Sequence, residues 1–360
     1  MELVQLLEHV ATEQGAVGFG VADVAPFDEV RSDMEHRVKE GSHAGLTFTY
    51  NNVARSTDVR TSVPWAERLV VLASSYLPEA GSPGPARAGT ARIARFATED
   101  HYEGLRAMLG AVAALLTDRG FEAMTLSDDN RLVDRAAAVR AGVGWWGNNA
   151  MVLAPGYGPW LLLGSVVTDA PLPVSEPMRR DCGTCTACMP ACPTGALVAP
   201  GVLDARKCLA RWAQAPGVIP RSFRAAMGDR LYGCDDCLDA CPPGGRLLAQ
   251  ATHPRGRVNL LELLGSTDAE LLAAYDHFYL PGRRPAMLRR NALVVLGNAP
   301  TDGGLSVLAE YLDHSDPVLR LHAAWALGRW QTAAALALLE QAKATEPDGA
   351  VRAEIDHALR

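Results

Sequence analysis

Nowhere in its 360 residues does the sequence hold an apolar run long enough to span a bilayer. It has no excess of basic charge either: 34 Lys and Arg stand against 41 Asp and Glu, a net charge of −7. The chain as a whole therefore lacks the electrostatic footprint of a nucleic-acid binder, which leaves local patches open. The opening, MELVQLLEHVATEQG, carries acids and no basic n-region, so no secretory signal is expected and the chain should stay in the cytoplasm, away from membranes. It reads instead as an amphipathic helix with Leu3, Leu6, Leu7 and Val10 on one face. A dinucleotide fingerprint is also missing. Gly142-Val-Gly144-Trp-Trp-Gly147 has the spacing, but these glycines follow a helical pattern where the fingerprint would open one.

What is present is cysteine, in clusters. In a reducing cytoplasm disulfides are disfavoured and grouped thiols are better read as metal ligands. The stretch DCGTCTACMPACPTGAL (181–197) gives Cys182-x2-Cys185-x2-Cys188-x3-Cys192-Pro193, the bacterial ferredoxin run in which three thiolates grip one cluster and the fourth reaches the other. A looser set follows, Cys208 and then Cys234-x2-Cys237-x3-Cys241-Pro242. Together they use all eight cysteines, the number two 4Fe-4S clusters need. Structural zinc is the other use of paired thiols, but zinc ribbons give no reason for a Cys-Pro ending twice. The ferredoxin crossover assigns Cys182, Cys185, Cys188 and Cys241 to one cluster, and Cys192, Cys208, Cys234 and Cys237 to the other. The wide gap between Cys208 and Cys234 marks an insertion.

Before the clusters lie about 175 residues. The apolar runs RLVVLASSYLP (68–78) and PWLLLGSVVTDAPL (159–172) read as strands, with the helical pattern HYEGLRAMLGAVAALLTDRG (101–120) between them. An α/β or α+β domain follows. Its most chemical segment, SDDNRLVDRAAAVRAGVGWWGNNAMVL (127–153), sets Asp128, Asp129, Asp134 and Arg135 at the start of a helix that ends in the glycine-rich turn. Helix capping by the acids and termination by the glycines is the plain alternative.

After residue 280, MLRRNALVVLG (287–297) and VLRLHAAWALG (318–328) repeat at an offset of 31, and AVRAEIDHAL supplies a third copy. Stacked helix pairs of HEAT type are expected, serving as a binding surface or as a stabilising cap. The predicted organisation is 1–175 reductase domain, 176–250 double-cluster domain, 251–280 connector and 281–360 HEAT-like repeats.

CGTCTACMPACPTGA, YGCDDCLDACP, AVRAGVGWWGNN and LHAAWALG, in this order along nearly the whole chain, resemble the tRNA epoxyqueuosine reductases. The resemblance implies a cobalamin held by the N-terminal domain beside the clusters, and reduction of epoxyqueuosine to queuosine at the wobble position of tRNA. It assigns Asp128 as the proton donor and places Arg55, Tyr102, Arg135, Gly147 and Asn149 at the cofactor. The family's Asp-Tyr-His is here His101-Tyr102-Glu103, its Gly-Lys-Asn lysine is Asn148, RWAQA (211–215) replaces Leu-Thr-Ile-Glu, and CPPG replaces Cys-Pro-Trp-Asn. No Asp-x-His-x-x-Gly segment occurs, so the corrinoid is expected to bind without that lower ligand. The partners implied are the tRNA anticodon stem-loop and an external donor such as ferredoxin or flavodoxin, with the protein a monomer.

Two other functions share these features, a reductive dehalogenase-like reductase of small molecules and a non-catalytic electron carrier. For RNA, the candidate basic residues are Arg283, Arg284, Arg289, Arg290 and Arg320, or failing those Arg221 and Arg224 in the insertion. Repeat arginines also commonly pair with acids of the next repeat, so a structural role stays open.

Overall fold

The computed structural model describes residues 2–77, 88–250 and 257–360. The chain divides into two compact units, each assembled from separate segments: residues 1–81, 100–207 and 236–253 in the first, and 82–99, 208–235 and 254–360 in the second.

In the first unit the two apolar runs become adjacent strands. Strands β1 (Gly18–Asp23), β2 (Arg68–Ser75), β3 (Ala123–Ser127) and β4 (Leu161–Thr168) form one sheet in the order β1-β2-β4-β3, antiparallel throughout. Residue 78 of the first run lies outside the described residues. Every residue from Leu69 to Ala73 is fully buried, so this central strand is apolar on both faces and shows no alternation in sequence. Leu69, Val71 and Ala73 pack with Ala136, Ala137 and Ala138 of a short helix, Asp134–Arg140. On the opposite face the helix His101–Asp118 sits over Gly164, where a Cβ would meet Leu109 at 2.6 Å. The amphipathic opening is a helix, Leu3–Glu13, as its periodicity predicts. Helices on an antiparallel sheet make this unit α+β.

The second unit gathers a small sheet and the helical tail. Thr90–Ile93 is its central strand, parallel to Arg230–Tyr232 on one side and antiparallel to Arg257–Asn259 on the other. Residues 251–256 of the expected connector lie outside the described residues, and the remainder carries helices Leu260–Gly265 and Asp268–Ala274. The repeats follow as helices Ala286–Asn298, Gly304–Leu312, Pro317–Trp330, Ala333–Thr345 and Gly349–Ala358. The sequence repeat has a packing reason. A Cβ on Gly297 would meet Ala326 Cα at 2.8 Å, and one on the equivalent Gly328 would meet Ala358 Cβ at 2.5 Å. Successive helices thus approach at the same small residue.

The insertion between Cys208 and Cys234 belongs with this tail, and the arginines expected to face RNA explain why. From Met287 to Gly297 every residue of the first repeat helix is buried. Arg290 donates to the carbonyls of Trp212, Ala215 and Gly217, and Asn291 to those of Ala213 and Leu231. Burial, with Arg211 nearby, pushes the Arg290 guanidinium down to about 9. Arg289 binds Asp268 and the Ser266 carbonyl. Arg320 holds Glu346 through two N–H groups at 2.8 Å each and also donates to His314 O. Arg224 and Arg221 both reach Glu354. Buried carbonyls and carboxylates need donors, and arginine supplies several from one planar group. Arg224, Arg289, Arg290 and Arg320 are therefore structural, correcting the expectation of an arginine ridge, while Arg221 keeps over a third of its side chain in solvent. Of the candidates only Arg283 and Arg284 are exposed.

Candidate active site: a polar cavity walled off from a thiol cluster

The first unit contains a cavity of about 480 Å³. Five pieces of chain build it: the helix Asp28–Lys39, the turn at Phe48–Tyr50, the segment Asp128–Arg135, the glycine-rich turn from Trp146 to Ala150, and Gly201. The acids and the glycines singled out in the sequence thus meet in one place.

Asp128 follows the last residue of β3 and takes a left-handed backbone, φ 50°. Ala150, across the same cavity, does so too at φ 63°. Left-handed non-glycine residues cost roughly 1–2 kcal/mol and gather where geometry is dictated by function. The neighbouring acids divide sharply. Two N–H groups of Arg131 clasp Asp129 at 2.6 and 2.9 Å, and these bonds hold its carboxyl below the ordinary range. For Asp128, burial and then the charge of Asp129 push the carboxyl up. Asp134 is raised much further, by burial first and then by the charge of Asp128, and its Oδ1 is buried without a hydrogen-bond partner. None of these acids caps the helix as the plain alternative requires, because the N-cap is Val133 and no side chain caps it.

Arg135 spans the site, donating to the Ala150 carbonyl at 2.9 Å. Burial lowers its pKa, opposed by Tyr50, Asp134 and Tyr102 nearby, which brings Tyr102 into the same electrostatic neighbourhood. Gly147 cannot be replaced without displacement, since a Cβ would meet Asn149 Oδ1 at 2.6 Å. Asn149 is 5% exposed; its Oδ1 accepts from Met151 N–H while Nδ2 is buried without a partner. Arg55 stands farther back. It donates to Ser62 Oγ, and its charge helps keep Asp129 ionised.

Sequence reasoning missed the far wall, where Arg37 pairs with Asp33 at 2.7 Å and burial pushes the Tyr50 phenol up. No motif marks these residues; only the fold brings them to Asp128. It also missed the rim, where Phe48 and Trp146 are exposed.

Trp146 has a structural twin. Trp145–Trp146 pairs with Val152–Leu153 as a two-stranded hairpin, and consecutive strand residues face opposite ways. Trp146 lines the cavity. Trp145 and Leu153 pack instead against Cys241 and Cys182. The hairpin is thus a thin wall with the cavity on one side and thiols on the other.

Behind that wall Cys182, Cys185, Cys188 and Cys241 share one neighbourhood. Burial pushes the Cys241 thiol up to about 12, and Cys182, Cys188 and Cys185 add to the shift. Cys188 is raised by burial and by its cysteine neighbours. Thiols such as Cys188 and Cys241, raised by burial and by neighbouring cysteines, suit a cationic cluster, which deprotonates coordinating thiols outright. Burial also acts on Cys192, but N–H groups of Thr194, Ala196 and Leu197 and the Thr194 hydroxyl outweigh it and hold the thiol below its usual value. Cys237 lies in this unit as well, and Cys208 and Cys234 in the second.

Two of the sequence departures acquire partners here. Asn148 donates from its backbone to Cys182 Sγ at 3.3 Å and from its side chain to the Cys185 carbonyl at 2.7 Å. In the CPPG ending, a Cβ on Gly244 would meet Trp160 Nε1 at 2.4 Å, so the fully buried Trp160 takes the space any larger residue would need.

Comparison with known proteins agrees with this arrangement. Residues 181–244 match the 4Fe-4S double cluster binding domain, and residues 282–360 match HEAT repeats. The chain is 30% identical to the epoxyqueuosine reductase of Bacillus subtilis, over 99% of its own length and 94% of the relative's. It is 29% identical to that of Bacillus cereus, over 100% and 98%. A crystal structure of epoxyqueuosine reductase with a tRNA-Tyr epoxyqueuosine-modified tRNA stem loop superposes with a TM-score of 0.91 at 28% identity, covering 99% of both chains.

Proposed function

The chain belongs to the epoxyqueuosine reductase family, and from that premise we propose that it reduces epoxyqueuosine to queuosine at the wobble position of tRNA, using cobalamin and two 4Fe-4S clusters. The observation that carries this is Asp128, a left-handed carboxyl with a raised pKa, in a cavity whose hairpin wall packs on its other side against Cys182 and Cys241.

Removing the epoxide oxygen consumes two electrons and two protons and releases water. The double-cluster domain carries the electrons. Cys182, Cys185, Cys188 and Cys241 are assigned to the cluster behind the hairpin. The set Cys192, Cys208, Cys234 and Cys237 is assigned to the second by spacing alone. When bound, cobalamin supplies a strongly reducing cobalt centre. The residues present fit it: Gly147 lines the cavity with no side chain, Arg135 offers a guanidinium there, and Asn149, two residues on, keeps an unpartnered amide donor, a set that suits a flat macrocycle fringed with amides. Arg135, Asn149 and Gly147 would hold it, with Tyr102 and Arg55 behind them.

Asp128 then protonates the departing oxygen. Burial keeps its proton to a higher pH than an ordinary carboxylate, as a general acid working near neutrality needs. Phe48 and Trp146 offer exposed aromatic faces at the cavity, the surfaces on which single-stranded bases stack. An external donor such as ferredoxin or flavodoxin feeds the clusters, and the enzyme acts as a cytoplasmic monomer. Among the described residues no helix is long and apolar enough to cross a membrane.

Anaerobic incubation with reductant, cobalamin and a stem-loop carrying the epoxide tests this, with nucleoside mass analysis as the readout. Loss of one oxygen from the modified base is expected. A protein that carries clusters but neither takes up the corrinoid nor changes the nucleoside would be an electron carrier instead.

A further inference from the structure

Each turnover needs two protons at one oxygen, and Asp128 delivers one per filling. A second carboxyl in the same cavity that arrives protonated would supply the other proton without waiting on solvent. The cavity and the residues beside it offer few choices. Asp129 is clamped as a carboxylate by Arg131. Asp33 is paired with Arg37 and half exposed, and Glu29 is exposed to solvent. Asp134 differs from all three. It opens the helix Asp134–Arg140, lines the same cavity as Asp128, and holds an Oδ1 that is buried without a partner.

We propose that Asp134 stores the second proton of the reduction and passes it to Asp128 within the turnover. This rests on the epoxide-reductase function above. Asp128 gives its proton to the oxygen as one C–O bond breaks, leaving a hydroxyl. Asp134 then re-protonates Asp128, which gives that proton to the hydroxyl as the second C–O bond breaks and the C=C bond forms. The oxygen departs as water. Two electrons from the external iron–sulfur or flavin donor complete the balance, and both carboxylates refill from solvent.

The surroundings favour such a store. Burial and the charges of Asp128 and Asp129 disfavour a carboxylate at Asp134; Arg135 and the residue's own backbone N–H oppose them but do not prevail. The ionisable groups facing it across the cavity are Asp33, Arg37, Tyr50 and Glu29. Once Asp128 has lost its proton, its own negative charge raises the cost of any carboxylate beside it. A merely structural acid in the first turn of a helix would be ionised, since the macrodipole favours the anion there.

The test uses Asp134→Asn in the cluster-loaded, cobalamin-loaded protein, with Asp134→Glu as the conservative variant. Asp134→Asn should lower kcat about tenfold or more with KM for the stem-loop unchanged, because proton transfer by a positioned acid is lost. Raising the concentration of a small buffer acid at constant pH should restore it, while wild type and Asp134→Glu should not respond. A wild-type kcat in Asp134→Asn, or a loss that buffer acid leaves untouched, overturns the proposal. Infrared spectroscopy of the protein alone gives a separate readout: a protonated-carboxyl band at neutral pH, present in wild type and diminished in Asp134→Asn. Absence of that band also overturns the proposal. An inactive wild type that keeps the band would indict the substrate assignment and leave the proton store standing.

Discussion

The backbone N–H of Asn148 donates to Sγ of Cys182 at 3.3 Å, and the Asn148 side chain donates to the carbonyl of Cys185 at 2.7 Å. The turn that floors the cavity therefore clasps the loop that wraps the cluster. N–H···S bonds to cluster sulfurs are among the determinants of reduction potential. Asn148→Ala keeps the backbone bond and loses the other, a change of about 1 kcal/mol. It should still load both clusters, but the visible iron–sulfur absorbance should bleach about fivefold faster in air. Unchanged bleaching would show that the side-chain bond does not hold the loop.

The crossover of the cysteines can be read by iron counting. Wild type should approach about eight iron and eight sulfide per chain, and Cys241→Ala about half of each. Adding Cys182→Ala to that variant should cost no further iron, because both thiols serve one cluster. If the double variant loses nearly all iron, Cys241 belongs with the other set.

Asp128→Asn should retain clusters and corrinoid and lose about two to four orders of magnitude in turnover, the usual contribution of a positioned acid. Corrinoid absorbance measured beside activity separates a lost proton from a lost cofactor. Near-normal turnover would remove Asp128 from the chemistry.

In the second unit, bonds from Arg320 hold the buried Glu346 carboxyl below its ordinary pKa. A depressed carboxyl contributes stability above its unfolded pKa and loses it as pH falls through the lower, folded value. Glu346→Gln should therefore flatten the acid side of a Tm–pH curve and destabilise at neutral pH by about 1.5 kcal/mol, the lower end for hydrogen bonds to a charged group. Parallel acid branches in the two proteins would refute the assignment.

The correction at the repeat arginines yields a contrast in RNA binding. Arg283→Glu with Arg284→Glu, both exposed, should leave the melting temperature unchanged. If they meet phosphate, the slope of log affinity against log salt should fall by about one to two units. Arg290→Glu should unfold the tail before RNA is added, since it sets a carboxylate against buried carbonyls. Equal effects on binding at equal stability would return Arg290 to the surface.

The cysteine runs were legible because cluster ligation is local: fixed spacing and a following proline are properties of a few consecutive residues. The strands at 68–75 and 161–168 were legible because burial on both faces leaves an unbroken apolar run. Asp33, Arg37 and Tyr50 were not, since they reach the cavity from a helix and a turn far from Asp128 in sequence. The repeat arginines misled for a related reason. Charge in sequence reads as exposure, whereas Arg290 is charged so that it can satisfy carbonyls of a segment more than seventy residues earlier.

The strand Thr90–Ile93 has its hydrogen-bonding neighbours at 230–232 and 257–259, and the helix that buries Arg290 comes later still. On the ribosome this strand emerges early and has neither edge covered until most of the chain has been made. The second unit is thus the last to close, even though its central strand is made before most of the first unit. Non-local pairings of this kind fold slowly and leave strand edges open to wrong partners meanwhile. A stop codon or frameshift anywhere before the repeats should therefore yield an insoluble fragment, and chaperone demand during synthesis should be set by the tail.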